Sequence, residues 1–150
     1  MRRFVPIACA LHLLGCGGKQ SPDKLPYASS AERAYKAALA EFIDDDCITA
    51  QPAFQEVRRR FPYSRYAPLA ELHIADCDLR EGKYPEAVEG YRRFIQVRAS
   101  HAKVPVARFR LGLAYYEQIP SEWFLVPPAH ERDQVATKQA LNHFASFIED

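Results

Sequence analysis

The sequence predicts an all-α fold, a right-handed solenoid of about three helical hairpins, on three observations. Apolar residues recur at helical spacing along residues 30–149, as in Val88, Tyr91, Phe94 and Ile95. The small residues Ala38, Ala75 and Gly112 repeat at an offset of about 37 residues, and Ala50 and Phe54 overlay Ala87 and Tyr91 at that same offset. Punctuation falls between the periodic segments: Ser64 as an N-cap candidate, Pro85 and Pro105 at first helical positions, Gly82 in a hairpin turn.

The offset is close to the tetratricopeptide period, in which each repeat is a pair of helices. Arg110-Leu111-Gly112-Leu113-Ala114-Tyr115-Tyr116 is the best match to the first helix of such a pair. A small residue at Gly112 lets the two helices approach, and Phe54, Tyr91 and Phe144 fill the seams between them. Six helices are expected, at about 30–43, 49–61, 65–81, 84–98, 105–118 and 134–149. Pro52 forces the second to begin near Ala50 or to kink, because an interior proline costs about 3 kcal/mol.

Three regions are expected: 1–15, 16–30 and 31–150. Met1-Arg2-Arg3 followed by the apolar run Phe4–Leu14 reads as an export signal, too short to span a bilayer. It ends in Leu13-Leu14-Gly15-Cys16, which resembles the bacterial lipobox, so Cys16 is the expected lipidation (palmitate) site. Gly17 after it resembles the outer-membrane sorting pattern. Residues 16–30 (CGGKQSPDKLPYASS) read as a lipid-bearing cysteine and a flexible tether.

Composition narrows the function. The chain has 20 Lys+Arg against 19 Asp+Glu, a formal charge of +1, so no cation excess favours nucleic acid. Loss of the two signal arginines leaves a net charge of −1, so acyl chains, not anionic headgroups, would hold it to a membrane. The four cysteines show no metal-ligand spacing, and no nucleotide, serine-hydrolase or zinc-protease motif occurs, so no metal, cofactor or catalysis is expected. His130-Glu131-Arg132-Asp133 lacks a second histidine and sits beside a proline pair before a helix, where capping is its expected job; a hydrolase using His130 and Asp133 is the weakest alternative. Cys47 and Cys77 fall at similar levels of neighbouring helices, either as a disulfide or as two buried thiols. The insertion 119–132, with the single Trp123, is either a packed loop or a partner surface.

The lipobox, Arg60-Phe61-Pro62-Tyr63-Ser64-Arg65-Tyr66-Ala67-Pro68, the segments Gly82–Ile95 and Phe109–Tyr116, and Glu131-Arg132-Asp133-Gln134 together resemble the BamD family, lipoprotein subunits of the outer-membrane β-barrel assembly machinery. The resemblance implies a lipid-anchored protein on the periplasmic face of the outer membrane. Its implied partners are the β-barrel assembly subunit, other assembly lipoproteins and unfolded outer membrane protein segments. A different cell-envelope repeat scaffold is the alternative. The family carries further repeats, whereas this sequence stops inside its third, leaving the last helix's Ala140, Leu141, Phe144, Phe147 and Ile148 with no following repeat.

First helices of such repeats line a concave surface. By the repeat offset, the expected peptide-binding groove comprises Tyr35 and Phe42, then Leu72, Asp76, Leu79 and Arg80, then Phe109, Leu113 and Tyr116. The resemblance implies an aromatic-ended peptide there, with Arg80 meeting its carboxylate.

Overall fold

The computed structural model describes residues 26–119 and 134–149, which form six helices and, among the described residues, no strand. They are α1 (Tyr27–Ile43), α2 (Cys47–Arg60), α3 (Tyr66–Arg80), α4 (Tyr84–Val97), α5 (Val104–Tyr116) and α6 (Val135–Glu149). Each packs chiefly on its sequence neighbours, so the helices stack as three consecutive hairpins.

The expected boundaries hold to within a few residues, and the departures have local causes. Helix α1 starts at Tyr27, inside the expected tether, because the Ser29 and Ser30 N–H groups donate to the Pro26 carbonyl at 2.9 and 3.1 Å. The Tyr27 ring also packs edge-on against Phe61, 5.3 Å between centroids. Helix α2 begins at Cys47 and runs through Pro52, because the Asp46 carboxylate accepts the Thr49 N–H at 3.0 Å and anchors the first turn. Ser64 does not cap α3: its hydroxyl donates to the Phe61 carbonyl at 2.8 Å, and Arg65 stands at the N-cap.

The first two hairpins share one turn. Gly82 has φ +72°, and Asp45, one repeat earlier, has φ 63°. In both, the next residue's N–H closes back on a carbonyl five residues before it, Asp46 to Glu41 at 3.0 Å and Lys83 to Asp78 at 2.8 Å. Glycine adopts that conformation freely; aspartate is among the few other residues that tolerate it.

The core divides at the repeats. One cluster, from α1, α2 and α3, is centred on Phe54, Val57, Tyr35 and Phe42. The other joins α3, α4 and α5 with Ala140 of α6 around Tyr91, Phe94, Leu72 and Leu111. Phe54 and Tyr91 are fully buried, as expected for seam residues. A Cβ added at Gly112 would stand 2.8 Å from a Phe144 ring carbon, so the third seam closes as the small-residue pattern predicts.

Candidate functional site

The nine expected groove positions separate into buried and open sets, and the repeat geometry explains the division. On α1, Tyr35 and Phe42 are buried against α3. The Tyr35 ring stacks on Tyr66 at 5.1 Å, and its hydroxyl lies 3.1 Å from His73 Nε2. Phe42 lies 4.9 Å from the His73 ring. On α3, Leu72 is buried in one cluster with Val104, Ala107 and Leu111 of α5, and Leu79 packs partly buried on it. Only on α5 does the equivalent stripe stay open: Phe109 is 44% and Tyr116 56% exposed, with Leu113 half-buried.

These positions are therefore the face between successive repeats, not a continuous concave groove. Tyr35, Leu72 and Phe109 are equivalent by the repeat offset, as are Phe42, Leu79 and Tyr116. Each first helix covers the stripe of the one before it. Tyr35, Phe42, Leu72 and Asp76 are thus withdrawn as peptide-contacting residues. Arg80 is corrected as well: it donates to the Phe42 carbonyl at 2.7 Å and to Asp45 Oδ1 at 3.0 Å, with its guanidinium 3.7 Å from the Phe42 ring centroid. It caps the C-terminus of α1 from the next repeat, and its cation already has a carboxylate.

Asp76 is the one buried charged residue in the described core, and it gathers three partners, from α3, α4 and α5. The Tyr91 hydroxyl donates to Oδ1 at 2.7 Å, Arg110 of α5 donates to Oδ2, and His73 Nδ1 stands 3.0 Å from Oδ2. A carboxylate only accepts, so the His73 Nδ1–H donates to Asp76, and the ring's other nitrogen pairs with the Tyr35 hydroxyl. Burial, reinforced by the Asp76 charge, pushes both the Tyr35 and Tyr91 phenols upward. The His73 ring is stacked 5.0 Å from Phe54. A Tyr-His-Asp series resembles an acid–base relay, but these groups lie inside the inter-repeat packing, where they hold the register of α1, α3, α4 and α5.

Two surface features of the described residues bear on binding. At the far end, the α5 stripe meets α6, with Phe109 at 5.8 Å from Phe144 and 5.7 Å from Phe147. Leu141 and Ile148 are 67% and 82% exposed there. At the near end, the start of α1 and the Phe61–Pro68 turn enclose a cavity of about 300 Å³ lined by Tyr27, Glu32, Tyr63, Arg65 and Tyr66, among others. The Tyr63 N–H donates to the Tyr27 hydroxyl at 3.3 Å, and Arg65 donates to the Tyr66 hydroxyl at 2.7 Å. Lys36, through its hydrogen bond and charge, holds the Glu32 carboxyl below the usual range. Sequence reasoning singled out this turn without placing a cavity on it; the aromatic and basic run Tyr63-Ser64-Arg65-Tyr66 was the available signal.

Among the described residues no cluster of His, Cys, Asp and Glu could hold a metal, and no helix is long and apolar enough to cross a membrane. Cys16, Trp123, His130 and Asp133 lie outside the described residues.

Comparison with known proteins adds a family. The model described as "YfiO: Outer membrane lipoprotein" matches residues 27–150. The outer membrane protein assembly factor BamD of Caulobacter vibrioides is 27% identical, over 90% of this chain and 42% of that relative. BamD of Neisseria gonorrhoeae is 24% identical, over 97% of this chain and 57% of that relative, and one from Neisseria meningitidis gives the same figures. The chain spans about half the length of the curated relatives it matches.

Proposed function

Because this chain belongs to the YfiO family of outer membrane lipoproteins, we propose that it is a non-catalytic, periplasm-facing subunit of the β-barrel outer membrane protein assembly complex. In this reading residues 1–15 are removed, Cys16 carries the lipid and the helical repeats bind unfolded outer membrane protein segments. The relatives named assembly factors support the setting. The observation that carries the binding role is the stripe of Phe109, Leu113 and Tyr116, exposed or half-buried among the described residues where its equivalents on α1 and α3 are largely buried. Its spacing of i, i+4 and i+7 suits the apolar side chains of an incoming segment.

A second reading is favoured by one observation. The tyrosine-lined cavity at the Phe61–Pro68 turn is large enough for an aromatic side chain, so a peptide's aromatic end would sit there instead. Fluorescence anisotropy with a labelled, aromatic-ended peptide separates the two. Phe109→Ser or Tyr116→Ser should weaken binding with little change in melting temperature; Tyr63→Ser should do so under the second reading. Normal binding by all three variants removes both sites. Co-purification with a barrel subunit distinguishes assembly from another envelope scaffold role.

A further inference from the structure

Cys47 and Cys77 have no part in the proposed binding role, yet they share the core cluster at the interface of the first two hairpins. Cys47 is the first residue of α2, 5% exposed, and Cys77 lies in the last turn of α3 with no exposure. The two helices run in opposite directions. One turn along α2, the Gln51 amide donates to the Ile74 carbonyl at 3.4 Å and to Asp78 Oδ1. That register puts Cys47 within about one turn of Cys77, both in the same buried cluster. No third metal ligand joins them among the described residues.

We propose that Cys47 and Cys77 are a disulfide-forming pair that staples the first hairpin to the second once the chain reaches an oxidising compartment. The compartment rests on the export reading above; the pairing rests on the geometry. The oxidant is a disulfide, either a small molecule or a protein exchange partner. Cys47, the nearer to the surface, attacks one donor sulfur as thiolate and releases the other as a thiol. Cys77 then attacks Cys47 Sγ and displaces the second donor thiol. Two cysteine protons and two electrons pass to the donor, and one S–S bond is exchanged for another.

The same burial sets the timing. Cys77 sits where desolvation pushes its thiol well above the ordinary range, so in the closed fold it scarcely ionises. The bond therefore forms as the hairpins dock, or when the first turn of α2 opens, and once formed it is shielded from reductant.

The test uses the full chain carrying Cys9→Ser and Cys16→Ser, which leaves these two thiols alone. Refolding in mixed oxidised and reduced glutathione should give a monomer about 2 mass units lighter than the reduced form, blocked to maleimide until reduced. Closing a loop of about 30 residues should raise the melting temperature by about 7–14 °C over the same protein in dithiothreitol. Cys47→Ala should abolish that response to reductant. Two reactive thiols after oxidative refolding, a disulfide-linked dimer, or a lowered melting temperature would overturn the proposal. Thiol trapping in cells adds location: envelope-localised protein with free thiols sinks the pairing and spares the export reading. Cytoplasmic protein sinks the export reading, and the refolding result still decides the pairing.

Discussion

Replacing Asp76 tests the packing between repeats at its most consequential residue. Asp76→Ala deprives Tyr91, His73 and Arg110 of an acceptor together. Tyr91 is fully buried, so its hydroxyl loses its partner with no water to replace it, at about 1–3 kcal/mol. The Arg110 side chain is 32% exposed and recovers part of its loss from solvent, so the low end of the charged-partner range, about 1.5 kcal/mol, applies. His73 keeps the Tyr35 hydroxyl and loses one bond, about 0.5–1.5 kcal/mol. These losses share one carboxylate and are not additive; the expected total is about 3–5 kcal/mol, typical of a broken buried pair. Tyr91→Phe removes one donor and leaves Asp76 with two, so about 1 kcal/mol is expected. Asp76→Asn, which cannot accept from all three, should fall between. The assay is urea unfolding followed by far-ultraviolet circular dichroism, compared at constant m. If Asp76→Ala costs no more than Tyr91→Phe, the carboxylate does not organise the interface and the argument fails.

Gly90→Ala should destabilise the protein despite its better helix propensity, because the new Cβ would stand 2.7 Å from the Ala75 Cβ, where neither side chain can rotate away. A loss of roughly 1–3 kcal/mol in thermal melts is expected, and a gain would show that α3 and α4 can separate freely. His143 is held below its ordinary value by burial and then by the Arg92 charge. The unfolded chain therefore binds more protons at this site, and stability should rise with pH through the imidazole range, about pH 5 to 7. His143→Gln should flatten that slope in melts across the window; an unchanged slope removes His143 as its source. Cys16→Ser should release the protein from the membrane fraction and abolish any acyl mass, whereas continued membrane partitioning would rule out the lipid anchor.

Local chemistry made most of the helical framework legible in advance. The apolar periodicity, the small residues at Ala38, Ala75 and Gly112, and the aromatic residues at Phe54 and Tyr91 specify hairpins whose partners lie nearby in sequence, and those hairpins are present. Periodicity shows that a helix has an apolar stripe; it does not show which neighbour covers it. Tyr35 and Phe109 occupy equivalent positions, yet Tyr35 is buried beneath Tyr66 and His73 of α3 and Phe109 is 44% exposed. Arg80 illustrates the same limit, since the carbonyl it caps belongs to Phe42, 38 positions away. The Asp76 network likewise draws Tyr35, His73, Tyr91 and Arg110 from four helices. Residue type and spacing determined the helices and their seams, which short-range backbone bonding and adjacent packing dictate. Only the tertiary stacking decided which stripe is core and which is surface, because burial depends on what arrives from the next repeat.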